Sequence, residues 1–327
     1  MTVPFPLLRL PRLALIPVFQ EMEPIDVIAV SLLSKKVYNV SKIFRKLSVR
    51  CVNMIVDNNH LCITVDLRNG KSETFYFYKD RVADLDDLMI RYRWFTHENT
   101  GLSASQWLER VIDVTNFESL EELYLCGSPQ LEVCDALARL TNLRKLSIMF
   151  DCSDSFAKRA LDILSPVSTK ITLFKIPFES KEEFQKFLKS NLSYLNIETS
   201  TFPNFQFTLK DLIVTNALKL NLNSGKLNLK EINQFFKNWM ENKCDPRLEH
   251  LIVSTSEKVN ARNLLDGLNA VFFARDRRRA FRYSKQLDSF SESFSGGYDI
   301  RRADGKKATI TYAGYSGPTV INFYVWP

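Results

Sequence analysis

Histidine is scarce in this chain, with three in 327 residues (His60, His97 and His250). None falls in the H-E-x-x-H spacing that places two imidazoles on one helix face around zinc, so each is expected to be an ordinary loop or strand residue. No G-x-S-x-G elbow is present, and the serines therefore lack the strained turn that makes a nucleophile. Phosphate loops are also missing: Gly296-Gly297 and Gly305-Lys306-Lys307 lack the four-residue gap of a Walker motif and are expected to be turns. The six cysteines (Cys51, Cys62, Cys126, Cys134, Cys152, Cys244) form no pairs at zinc-ligand spacing. They fit buried free thiols of a reducing compartment, cytoplasmic or nuclear. Apolar runs stop at seven or eight residues, as in LALIPVF, too short to cross a bilayer. Arg9 and Arg12 interrupt the N-terminus and no small-residue cleavage site follows, so no secretory signal is expected. The carboxylate pairs Asp86-Asp87, Glu121-Glu122 and Glu182-Glu183 fall in helix or repeat segments where solvated faces are expected. The sequence thus predicts no catalytic constellation, no metal, no cofactor and no membrane partner.

What the chain does have begins at its N-terminus. Pro11 and Pro24 stand where a first helical turn needs no backbone donor, which predicts two short helices, each headed by a proline. Leu10, Ala14, Val18 and Met22 recur every four residues with Leu15 and Phe19 beside them, so the first helix is apolar on more than one face. The second helix, through Val27, Ile28, Leu32 and Val37, covers one of those faces; another needs a further partner, in this chain or another. Pro17 removes the bond to the carbonyl of Leu13 and is expected to kink the first helix or weaken it.

The middle of the chain repeats. L-x-x-L-x-[LIV] occurs at Leu120-Leu123-Leu125 and again 23 residues later at Leu143-Leu146-Ile148, a leucine-rich-repeat spacing. It recurs irregularly at Leu192-Leu195-Ile197, Leu209-Leu212-Val214 and Leu248-Leu251-Val253, each read as a short strand. Helices are predicted between them over 131–140, 155–164, 179–188 and 229–240. Strands alternating with helices imply a parallel sheet, either as a leucine-rich-repeat-like stack or as a compact α/β domain. VRCVNMIV, LCITVDL and SETFYFY, with Asn69-Gly70 as a hairpin turn, predict an antiparallel meander, followed by helices near 84–92 and 103–114. YDIRR, KATITYAG and TVINFYVW, with a turn at Asp304-Gly305, predict a second meander that caps the stack. Tyr298, Tyr312, Phe323 and Trp326 then form either the core of that cap, the favoured reading, or a ligand platform.

Charge is uneven. Residues 272–327 hold ten Lys and Arg against five Asp and Glu, and Arg275, Arg277, Arg278, Arg279, Arg282 and Lys285 cluster with Phe281 and Tyr283. Cations mixed with aromatics suit a polyanion or nucleic acid, an acidic protein target, or a solvated face. The whole chain carries a net charge of only +7.

Two segments carry a resemblance. Leu10-Pro11, Leu15, Val18-Phe19, Met22, Asp26-Val27 and Ser31-Leu32, followed by Ser34-Lys35-Lys36, resemble an F-box; Leu13 and Ala14 stand where that family has an acidic residue. NLKEINQFFKNWMENKCDPRLEHLIV, GGYDIRRADGKKATITY and NFYVWP resemble the F-box-associated (type 2) region of nematode F-box proteins. The resemblance implies a noncatalytic substrate receptor of an SCF-type cullin-RING ubiquitin ligase. Its F-box, residues 1–48, would bind the adaptor, and through it the cullin, with Leu10, Pro11, Leu15, Val18, Phe19, Val27, Ile28 and Leu32. A connector over 49–115 would lead to a leucine-rich-repeat-like region over 116–327 that binds a protein target, with Arg277, Arg278, Arg279 and Arg282 as candidates. The alternatives are a repeat-type scaffold, or a polyanion-binding protein using Arg275 to Lys285; nucleic acid is the less expected partner. The predicted fold class is mixed α/β, a helical N-terminus followed by an irregular strand and helix stack with antiparallel capping strands.

Overall fold

The computed structural model describes residues 10–44, 49–58, 60–68, 70–78, 93–96, 101–115, 119–129, 132–198, 207–222, 227–244, 247–287, 291–314 and 318–327. His97, Asn69 and the helix expected near 84–92 lie outside these residues. The chain is mixed α/β and divides into two compact units, Met1–Leu146 with Asp151–Val167, and Ser147–Phe150 with Ser168–Pro327.

The first unit opens with three helices, α1 (Arg12–Glu21), α2 (Pro24–Leu33) and α3 (Lys35–Phe44). Pro11 caps α1, its carbonyl accepting the Ala14 and Leu15 amides at 3.0 and 3.2 Å, and Pro24 starts α2. Pro17 does not end α1, which runs through it to Glu21. The carbonyl it orphans belongs to Leu13, a residue on the open side of the helix. The expected second helix is really two. Ser34 takes an extended conformation after Leu33, and Val37, with Val40 and Ser41, is buried from a separate helix, α3. α1 packs against α3, so Val37 does face α1's neighbourhood, though from the third helix.

Strands β1 (Val49–Val56), β2 (His60–Leu67), β3 (Ser72–Tyr78) and β4 (Arg93–Thr96) follow, then α4 (Ala104–Thr115), β5 (Ser119–Leu125), α5 (Glu132–Leu137), β6 (Asn142–Ile148) and α6 (Asp154–Leu164). Their order in the sheet is β6-β5-β1-β2-β3-β4. β1, β2 and β3 form the expected antiparallel meander, and β5 joins β1 in parallel. α4 carries Trp107, Leu108 and Val111 into the core, Trp107 lying 5.1 Å from Phe77.

α4 also ties down the N-terminal helices. Asp113 accepts hydrogen bonds from Lys42 Nζ at 2.8 Å, from Arg139 at 2.6 Å and from the Tyr38 hydroxyl. Arg110 donates to the Ser31 and Leu32 carbonyls at 3.1 and 3.2 Å, satisfying the C-terminal end of α2. Burial alone would raise the Asp113 carboxyl, but the bonds from Lys42, Tyr38 and Arg139 outweigh it and hold the pKa near about 2.

In the second unit, β7 (Ser168–Leu173), α7 (Lys181–Leu188), β8 (Leu192–Ile197), α8 (Leu209–Val214), β9 (Ala217–Leu222), α9 (Leu229–Met240) and β10 (His250–Thr255) alternate, and β7 to β10 pair in parallel, the β9 to β10 step included. After α10 (Ala261–Leu264) come β11 (Val271–Arg282), β12 (Ser291–Arg301), β13 (Lys307–Ala313) and β14 (Thr319–Val325), giving the order β7-β8-β9-β10-β14-β13-β12-β11.

The strand expected at Leu209-Leu212-Val214 is a helix. Thr208 and Asp211 form a capping box, each side chain serving the other's backbone amide, and this starts α8 in place of a strand. The true strand is β9, and β7 also lay outside the leucine pattern. Register aligns Ile171, Leu195, Leu220 and Leu251, which are 24, 25 and 31 residues apart, so the period is more regular than the leucine matches suggested. α9 covers the adjoining strands: Phe235, Phe236 and Trp239 lie 6.1, 4.9 and 5.1 Å from the ring of Phe323.

Candidate docking surfaces

α1 divides cleanly. Leu15 and Phe19 are buried, with Val27, Ile28 and Leu32 of α2. These five of the eight residues expected at the adaptor are core side chains of the free chain. Leu10 and Val18 are half-buried and Pro11 is exposed. The opposite stripe of α1, Leu13, Ala14, Pro17, Gln20 and Glu21, is exposed, and Leu13 shows 80% of its surface. Among the described residues it is the most exposed of the large apolar side chains. Nothing in the leucine spacing singles it out; its position in place of an acidic residue was the available signal.

In the second unit, the sheet face away from the leucine row carries Lys170, Tyr194, Lys219, His250 and Tyr324 side by side in register across five strands. The C-terminal hairpin of β11 and β12 packs on Tyr194, Lys219, His250 and Tyr324 of this row. Lys219 Nζ donates to the Tyr283 hydroxyl at 3.0 Å; the same oxygen lies 2.5 Å from His250 Nδ1 and hydrogen-bonds Glu292. His250 stacks on Tyr324 at 4.3 Å, and Lys219 sits 4.5 Å from the Tyr283 ring centre. Burial, helped by the Lys219 charge, lowers His250 to about 3 and keeps it neutral, and burial likewise pulls Lys219 down. Burial and the Glu292 bond push the Tyr283 phenol up. With His250, Lys219 and Tyr283 all buried, this network clamps the hairpin onto the parallel strands. It offers no open nucleophile or base. Among the described residues no group of His, Cys, Asp and Glu is placed to hold a metal ion.

The basic cluster lies on β11, an edge strand among the described residues. Nothing in its pattern predicts a strand, because charges occupy both faces at its centre. Arg277, Arg278 and Arg282 are exposed, whereas Arg279 is half-buried and bound at 2.7 and 2.9 Å by the two oxygens of Asp299. Arg279 is therefore a bracing residue within the sheet. Phe281 and Tyr283 are buried. Gly296 and Gly297 are not in a turn, as expected, but within β12, opposite a bulge in β11 between Phe273 and Arg278. Gly297 has a φ of 146°, and a Cβ there would come within 2.7 Å of the Ile310 carbonyl oxygen. Of the four aromatics expected in the cap core, Phe323 is fully buried; Tyr298, Tyr312 and Trp326 are half-buried.

Comparison with known families places both surfaces. Residues 7–49, which include α1, α2 and α3, match the F-box domain family, and residues 183–253, from within α7 to within β10, match the F-box associated family. The F-box associated domain-containing protein sdz-33 of Caenorhabditis elegans is 22% identical over 321 residues, a match covering 95% of each chain. No solved structure matches. The exposed stripe of α1 thus lies inside the segment similar to F-box domains, whereas β11 to β14 lie beyond the segment similar to the F-box associated family. All six cysteines are free, Cys62, Cys134 and Cys152 buried, and no helix among the described residues is long and apolar enough to cross a membrane.

Proposed function

We propose that the chain is a noncatalytic substrate receptor of an SCF-type cullin-RING ubiquitin ligase, acting in the cytoplasm or nucleus. The carrying observation is the exposed cluster of Leu13, Ala14 and Pro17 on α1 inside the F-box match, with Leu13 at 80% exposure. On this reading Leu13, Pro11, Ala14 and Pro17 meet the adaptor, with Leu10 and Val18 at the margin. Leu15, Phe19, Val27, Ile28 and Leu32 hold the helices that present them. The second unit, a leucine-rich-repeat-like succession of parallel strands ending in antiparallel ones, takes a protein target. Burying one leucine contributes about 1.5–3 kcal/mol, so Leu13→Asp should weaken adaptor binding by at least about tenfold while the fold persists. Adaptor binding unchanged by Leu13→Asp and by Leu13→Asp with Ala14→Asp removes the support for this reading.

A second reading rests on Arg277, Arg278 and Arg282, exposed on one edge strand, as a polyanion site. Its signature is an affinity that falls steeply with salt, in proportion to the phosphates contacted.

A further inference from the structure

Beyond β10 the sheet continues through four antiparallel strands. One row runs in register through Leu251, Phe323, Ile310, Tyr298 and Phe272, across β10, β14, β13, β12 and β11. Leu251, Phe323 and Ile310 are buried. Tyr298 is half-buried and Phe272 is 61% exposed. Tyr312, two residues along β13 from Ile310 and so on the same face, is half-buried, its ring parallel to that of Tyr298 with centres 6.3 Å apart. Phe272 lies 5.6 Å from Tyr298. The core row therefore emerges toward the edge strand as a short aromatic ladder, with exposure rising to 61% at Phe272.

An arginine stem packs beside the ladder. Gly296, two residues before Tyr298, has no side chain, and the stem of Arg275 fills the space: a Cβ on Gly296 would come within 2.7 Å of Arg275 Cγ. The Arg275 charge acts on the Tyr312 phenol, against the larger upward effects of burial and of the bond to Tyr298. Arg277 and Arg278 follow on the same bulged stretch, exposed. Among the described residues Arg275, Arg277 and Arg278 make no ion pair, in contrast to Arg279.

We infer that Phe272, Tyr298, Tyr312 and Arg275, flanked by Arg277 and Arg278, form the docking surface for an acidic segment of a protein target, its apolar side chains on the ladder and its carboxylates on the arginines. This inference rests on the receptor reading and names the chemistry of its target. Charged edge strands do keep sheets from pairing with one another. That role accounts for the arginines but not for Phe272 at 61% and Val271 at 67% exposure on the same strand. A nucleic acid fits less well. Base stacking asks for open ring faces with cations repeated along a backbone track, whereas here Tyr298 and Tyr312 are half-buried with their rings parallel to each other.

The test uses the full chain and three labelled probes: a short peptide of Glu, Asp and Leu, the same peptide with Lys at every acidic position, and oligouridylate of similar length. The acidic peptide should bind and the Lys peptide should not. Phe272→Ser and the double variant Arg275→Glu with Arg277→Glu should each weaken binding by at least about tenfold, with thermal melts unchanged. No binding of the acidic peptide, or equal binding by both variants, overturns the inference. So does tighter binding of oligouridylate that the double variant abolishes, which makes the surface a nucleic-acid site. Adaptor capture by the same preparations separates the two readings: capture without peptide binding overturns the docking surface alone, and peptide binding without capture overturns the receptor reading.

Discussion

Replacing Asp113 by Asn should loosen the F-box from the domain behind it. The carboxylate joins Tyr38 and Lys42 of α3 to α4 and to Arg139, and its side chain is only 13% exposed. Its pKa falls from the usual 3.8 to about 2 on folding, which corresponds to about 2.5 kcal/mol. Lys42 and Arg139 are 43% and 45% exposed, so solvent screening reduces the expected loss to about 1–2 kcal/mol. Because the folded pKa lies below the unfolded one, this stabilisation is fully present above about pH 4 and is lost as pH falls toward 2. Urea melts of the wild-type chain and Asp113→Asn at pH 7 and at pH 3 measure it. The variant should unfold at lower urea at pH 7, and the gap should narrow at pH 3. Equal midpoints at pH 7, or a gap that widens in acid, would refute the assigned role of Asp113.

Two other substitutions probe the second unit. Leu195→Ala and Leu220→Ala, at register-matched core positions, should each cost about 2–5 kcal/mol through lost transfer energy and a cavity, read by thermal melts; near wild-type stability in both would contradict the aligned core row. Tyr283→Phe removes the oxygen shared by Lys219, His250 and Glu292 and should cost about 1–3 kcal/mol, visible as earlier proteolysis of the C-terminal hairpin, whereas unchanged protection would show that the network does not hold the hairpin.

Much of this architecture is legible in the residues, and the failures have physical reasons. Leu123, Leu146, Leu195 and Leu251 mark true strands because their period-two neighbours face a core. Leu212 misled because it is buried too, on a helix whose start is encoded by Thr208 and Asp211, outside the leucine pattern. β7 and β9 escaped because Ser168 and Ala217 stand where L-x-x-L-x-[LIV] needs its first leucine, although Ile171, Leu173, Leu220 and Leu222 follow and are buried. The N-terminal helices were readable from their prolines, but α3 was not, since Ser34 separates it from α2 without a glycine or proline. For the candidate site, spacing identified Leu15, Phe19 and Leu32 as important without telling core from surface. Only the packed structure shows that Leu13 is the side chain left outside. Likewise Arg279 is indistinguishable from Arg278 in the sequence, and differs because Asp299 stands beside it across the sheet.

The most direct measurement is a calorimetric titration of the full chain with the purified SCF adaptor, wild type beside Leu13→Asp and Arg277→Glu. The account predicts saturable one-to-one binding by the wild type, a loss of at least about tenfold with Leu13→Asp, and no change with Arg277→Glu. No heat of binding from a folded wild-type chain, or binding that Leu13→Asp leaves intact, would contradict it.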